Sequence, residues 1–209
     1  MLFLVLCAYG VYVLYHLGDR YPEKLLVPSA AKTYEIIDGD TFKDANGETV
    51  RLLGIDTPER GQPFYLAATG MLDSLLNSGN LRYEFDFRRR GPHGRLLAYV
   101  FVNDRFVNAE LVRAGMASVY IYSDHAMKNM AYRQQLIDYQ KQARENHLGI
   151  WSLEPPEEEE FYCGNRNSLV FHRPDCRSAK KLKEENRIIK SSRDEFLDLG
   201  YSPCRNCKP

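Results

Sequence analysis

Net charge is missing from this chain: 28 lysines and arginines face 28 aspartates and glutamates over 209 residues. The same balance holds within residues 30–153, so the surface as a whole does not draw in a polyanion, and any grip on phosphate must be local. Concentrated basic runs are equally scarce, Arg88-Arg89-Arg90 being the one present. By itself that run reads as a solvated loop; its place beside Gly94-Arg95 puts it near whatever Arg95 binds. Charge is also absent from Met1 to Leu17, which carry no acidic or strongly basic side chain. Seventeen such residues just reach the minimum for a membrane span and are long for a terminal core helix. A basic n-region and a small-x-small cleavage site are both lacking, and Cys7 follows Leu4-Val5-Leu6 without the small residue of a lipoprotein box. The segment therefore reads as a signal-anchor, or as a signal peptide whose start is incomplete, with a buried amphipathic helix as the poorer alternative.

What the chain does have is an apolar fraction of 44%, enough for a packed core. Residues 18–31 read as a polar tether with Pro22 and Pro28. Strand patterns follow at Thr33–Ile37, around Thr41–Lys43 and at Thr49–Leu53, the last two joined by Asp44-Ala45-Asn46-Gly47, a hairpin signal. Leu66–Leu76 has helical spacing and stops before Gly79. Leu81–Phe87 and Leu97–Val102 alternate as strands, Glu110–Ala114 is a short helix closed by Gly115, and Asn129–Asn146 a longer one with Leu136, Tyr139 and Ala143 on one face. These patterns give an α+β domain. Glu154-Pro155-Pro156 and the acids Glu157 to Glu160 then break the composition, and prolines beside four mutually repelling charges make an extended linker.

Two runs carry the chemistry, Asp38-Gly39-Asp40-Thr41 and Arg51-Leu52-Leu53-Gly54-Ile55-Asp56-Thr57-Pro58-Glu59. Asp40 and Asp56 offer hard carboxylate oxygens to a divalent cation such as calcium or magnesium. Glu59 is then free to handle a water, and the planar fork of Arg51 can hold two phosphate oxygens. Gly94-Arg95, heading the apolar Leu96–Val100, supplies a second guanidinium. Metal, carboxylate and guanidinium are the parts needed to attack a phosphodiester. Asp38, one residue before Gly39, reads as a turn acid that bonds backbone amides.

The order of these motifs resembles the staphylococcal nuclease (thermonuclease) family. The likeness runs on through Val107–Gly115 and Tyr120-Ile121-Tyr122 to Gly149-Ile150-Trp151, covering roughly residues 30–153 and holding every motif residue. It implies a five-stranded OB-fold β-barrel with helices. It further implies calcium held by Asp40, Asp56 and the Thr57 carbonyl, with Arg51, Glu59 and Arg95 catalytic. Tyr120 and Tyr122 would stand near the nucleotide, though core packing is the plain reading for one of them, and His93 would lie near phosphate. The expected activity is an endonuclease acting on DNA and RNA, leaving 3′-phosphates, with little sequence preference. The rival is a non-catalytic OB-fold binding or scaffold protein at the envelope; the presence of all five polar catalytic positions argues against it. Family members are commonly exported, so the chain is expected to be membrane-anchored through residues 1–17 or secreted, while Arg20 and Lys24 favour the opposite topology.

The tail holds a second constellation. His172-Arg173-Pro174-Asp175-Cys176 and Pro203-Cys204-Arg205-Asn206-Cys207 supply two close ligand pairs, and His172, Cys176, Cys204 and Cys207 suit tetrahedral zinc. A module this small also needs a staple beyond its core. A disulfide between Cys204 and Cys207 is the alternative, which the company of His172 and Cys176 disfavours; Cys163 reads as a small buried residue. The tail resembles the zinc-binding domain of the Ada DNA-repair methyltransferase, with His172 where that domain has its methyl-accepting cysteine, so alkyl transfer there is not supported. Its ligand is expected to be DNA or a protein. The organisation is thus 1–17 hydrophobic segment, 18–31 tether, 32–153 nuclease-like domain, 154–160 acidic linker and 161–209 zinc-binding module.

Overall fold

The computed structural model describes residues 24–26, 34–121 and 129–209. The hydrophobic segment 1–17, most of the tether and Tyr122 lie outside these. Among the described residues no helix is long and apolar enough to cross a membrane.

The fold is α+β. Short strands β1 (Lys24–Leu26), β2 (Glu35–Ile36), β3 (Thr41–Lys43), β4 (Thr49–Leu52) and β5 (Ile55–Asp56) precede helix α1 (Tyr65–Leu76). Then come β6 (Leu81–Arg90), β7 (Leu96–Val102), β8 (Arg105–Phe106), α2 (Val107–Arg113), β9 (Ser118–Val119) and α3 (Met130–Glu145). Among the described residues the main sheet runs β1-β6-β7-β4-β3-β2 with β8 on β7, β5 pairs with β9 apart from it, and no ladder joins β1 to β2 to close the sheet. The β3–β4 turn forms because the Asp44 carboxylate accepts the amides of Asn46 and Glu48 at 2.9 and 3.0 Å, an Asx arrangement. That turn sets Thr41 opposite Arg51. Since β4 is parallel to β7 with Val50 opposite Leu96, Arg95, the residue before β7, falls beside Arg51 on the same face of the pleat.

Helix α1 turns Ala68, Leu72, Leu75 and Leu76 inward, and α3, capped by the Asn129 side chain on the Tyr132 amide, buries Leu136, Ile137, Gln140 and Ala143. Both rows follow helical spacing.

After the acidic stretch the chain forms β10 (Tyr162–Asn165), β11 (Val170–His172), α4 (Arg177–Lys180), β12 (Arg187–Lys190), α5 (Arg193–Asp198) and β13 (Ser202–Pro203), a four-stranded sheet ordered β12-β10-β11-β13 with two helices. This module is no bead on a string. Phe196, Leu197 and Tyr201 belong to the same buried cluster as Ile121, Leu136 and Ile137. Gly200 sits at φ +77° with a position for a Cβ only 2.7 Å from Ile137 Cδ1, so glycine is needed both for the turn and for the close approach. Gln140 accepts the Val119 amide (2.7 Å) and donates to the Leu197 carbonyl (3.4 Å). Arg144 pairs with Asp198 at 2.8 Å. The buried Ser202 hydroxyl donates to the Val119 carbonyl at 3.1 Å. Ser202→Ala is expected to cost roughly 1 kcal/mol, since it strands a buried acceptor; a denaturant melt of the full chain with an unmoved midpoint would show that this contact is not made in solution.

Candidate active site and metal centre

Asp40 is held from several sides. Its amide donates to Asp38 Oδ1 at 3.0 Å, the backbone role that a turn acid plays. Its carboxylate accepts from the Thr41 hydroxyl (2.9 Å), the Thr57 amide (3.0 Å) and the Thr57 hydroxyl (3.1 Å). Gly39 allows this loop to lie so close, because a Cβ there would stand 2.8 Å from both Ala68 Cβ of α1 and Thr57 Oγ1. Arg51 then bridges the two acids, with Nε 3.0 Å from Asp40 Oδ1 and Nη2 3.0 Å from Asp56 Oδ1. Its Nη1 donates to the carbonyls of Leu52 and Ile55 at 2.7 and 2.8 Å. All but one of the guanidinium N–H donors are therefore engaged, and Arg51 here orients the carboxylates with a single donor left over. Burial pushes the Asp40 carboxyl up to about 7, against the pull of Arg51 and with the help of Asp38 and Asp56. A divalent cation at these oxygens would favour the ionised form.

Glu59 and Arg95 are the uncommitted members. Glu59 is exposed; its amide donates to Gln62 Oε1 at 2.8 Å and its carbonyl accepts the Gln62 amide at 2.9 Å, which fixes the backbone, and its carboxylate makes no hydrogen bond among the described residues. Arg95, half-buried, has no side-chain partner among the described residues. Both line one cleft with Asp40, Arg51, Asp56 and Thr57. Two acids suited to a hard cation, and a carboxylate and a guanidinium with no hydrogen bond among the described residues, thus face a common space.

A further cation enters that space from the tail. Arg205 lines the cleft, with Nη2 2.8 and 2.9 Å from the two Asp56 oxygens and its guanidinium 5.6 Å from the centre of the Tyr120 ring. Arg205 stands between two cysteines in the sequence, and nothing in local pattern links it to an aspartate 149 positions away.

In the tail, the ligand atoms of His172, Cys176, Cys204 and Cys207 all lie within 4.8 Å of one another. A tetrahedron of sulfurs around zinc has edges of about 3.8 Å at ordinary Zn–S lengths, so the four donors fit that ion. The elements explain the cluster: His172 ends β11, Cys176 is the N-cap residue of α4, and Cys204 follows β13, whose register against β11 pairs Phe171 with Pro203. The Arg173 amide donates to Cys207 Sγ at 3.4 Å. Burial lowers the His172 pKa, keeping its ring neutral and able to ligate. Burial would raise the Cys176 thiol, but the amides of Ser178 and Ala179 and the neighbouring thiols bring it down, while burial pushes Cys207 up to about 12. Cys163, Cys176, Cys204 and Cys207 are all free thiols. Cys163 is buried outside the cluster, opposite His172 on the adjoining strand.

Residues 49–153 match the family model of the staphylococcal nuclease homologues. The chain belongs to that family. Residues 152–209 match the metal-binding domain of Ada. The chain is 36% identical over 125 residues to a thermonuclease of Staphylococcus intermedius, covering 56% of this chain and 72% of that protein. It is 40% identical over 127 residues to the SPbeta prophage-derived endonuclease YokF of Bacillus subtilis, and 39% identical over 127 residues to endonuclease YncB of the same organism. Each alignment covers 56% of this chain, with 42% of YokF and 58% of YncB.

Not every residue that the family likeness implied reaches the cleft. His93 is exposed at the turn before Gly94 and is not among the side chains lining it. Tyr120 is half-buried beneath Arg205. Of the basic run, Arg90 pairs with Glu48 at 3.0 Å and Arg89 stacks 4.6 Å from the Phe85 ring; none of the three lines the nuclease-family cleft.

Proposed function

We propose that this nuclease-family chain hydrolyses phosphodiester bonds of DNA and RNA with calcium as its catalytic cation, leaving 3′-phosphates. The observation that carries the reading is the meeting of Asp40, Asp56, Glu59, Arg51 and Arg95 on one cleft. Asp40, Asp56 and the Thr57 carbonyl would hold the cation, which supplies charge neutralisation and polarisation at a phosphate oxygen. Glu59, exposed at the cleft, orients or deprotonates the attacking water. Arg95 has its whole fork available for the equatorial phosphoryl oxygens, and Arg51 adds its remaining donor while keeping the two carboxylates in place. The 5′ oxygen leaves. Contacts of this kind reach phosphate and sugar rather than base edges, which matches low sequence preference. The zinc-binding tail is a metal-stapled fold in this reading.

A plasmid-nicking assay on the full chain tests the proposal. Nicking should vanish when calcium is dialysed away and return when it is restored. Cleavage that persists without calcium would remove the cation site from the mechanism.

A further inference from the structure

The tail does more than dock beside the nuclease unit. We propose that Arg205 is a third phosphate-binding guanidinium of the nuclease site, supplied by the zinc-binding module, so that the module forms one wall of the substrate cleft. The inference rests on the nuclease reading above.

Three observations carry it. First, Arg205 is placed by a rigid device: it lies between Cys204 and Cys207, behind a strand whose Ser202 hydroxyl is tied to Val119, and the Cys204 amide that follows the strand donates to the Phe171 carbonyl at 2.9 Å. Second, docking does not depend on it. The interface already has a shared apolar core, Gln140 and the Arg144–Asp198 pair, whereas the Arg205 side chain is 65% exposed. An exposed ion pair of that kind adds little to stability. Third, the charge of the cleft calls for it. Four carboxylates (Asp38, Asp40, Asp56, Glu59) stand against Arg51, Arg95 and Arg205. A divalent cation turns that deficit of one into an excess of one, which a single phosphodiester neutralises; without Arg205 the cation-loaded cleft would have no net attraction for its substrate. Arg205 also differs from Arg51 in its freedom. Its Nη2 alone spans both Asp56 oxygens, and once those oxygens turn to a cation, the guanidinium keeps its other donors for phosphate. The Tyr120 ring beneath it offers a face on which guanidinium or base can stack.

The experiment uses the zinc-loaded full chain carrying Glu59→Gln to suppress cleavage, in calcium buffer, with a short fluorescent single-stranded DNA. Arg205→Ala should weaken binding about tenfold and make the salt dependence shallower by about 0.7 in the logarithmic slope, the signature of one lost phosphate contact. Arg205→Lys should keep the slope and lose less affinity. In the Glu59-intact chain, Arg205→Ala should raise KM more than it lowers kcat. Unchanged affinity and slope in Arg205→Ala, beside a parent that binds, would overturn this inference alone. Tighter binding and faster cleavage would overturn it in favour of a guanidinium that plugs the cation site. A parent that binds no DNA in calcium would sink the nuclease reading and this inference with it.

Discussion

Arg95→Lys is expected to lower kcat on the order of a hundredfold or more, although it keeps the charge. Arg95, the residue before β7, falls beside Arg51 and has no side-chain partner among the described residues, so its fork is wholly available to substrate. Lysine presents a single point charge and cannot grip two phosphoryl oxygens at once. Removing one preorganised stabiliser of transition-state charge costs about a hundred- to a thousandfold in comparable sites. A steady-state assay with a turnover number within a few-fold of the parent would take Arg95 off the catalytic list.

The second large effect is at the zinc ligands. Cys176→Ser should abolish tight zinc binding, whereas Cys163→Ser should leave one zinc per chain. Structural zinc in small domains contributes about 10–16 kcal/mol of apparent binding free energy, and the ligands converge only in the folded state. Because Phe196, Leu197 and Tyr201 pack into the nuclease core, the loss should reach beyond the tail and lower the melting temperature of the whole chain. Metal analysis and thiol titration of both variants decide the matter. The opposite pattern would show that Cys163 is the fourth ligand, and a parent without zinc whose tail cysteines resist thiol titration would be a disulfide module.

Much of this was legible in the sequence because it depends on local patterns. The Asn-Gly turn, the helical spacing of α1 and α3 and the ordered acid and arginine motifs all act over a few neighbours, and each short motif brings its own geometry. What could not be read arises at long range. The extent of β6, ten residues where alternation suggested seven, is set by its partner β7 up to Arg90↔Leu96, across a register shift after Phe85. The engagement of four of the five Arg51 donors follows from two carbonyls and two acids meeting in three dimensions. The docking of the tail was hidden behind a linker whose prolines and acids suggest independence. Glu159 in fact pairs with Arg173, next to a zinc-ligand candidate. Arg205 is the clearest case, since a lone arginine between cysteines has no periodicity to betray it.

That arginine gives the cleft two very different histories of assembly. Asp40 and Arg51 meet across one hairpin, a short loop to close, whereas Arg205 meets Asp56 over a separation of 149 residues. Closing long loops is slow and its entropy is recovered only when distant surfaces dock. On refolding, the half of the cleft that holds Asp40 and Arg51 should therefore form with the nuclease sheet, and the third guanidinium should arrive later, on the clock of zinc capture and module docking.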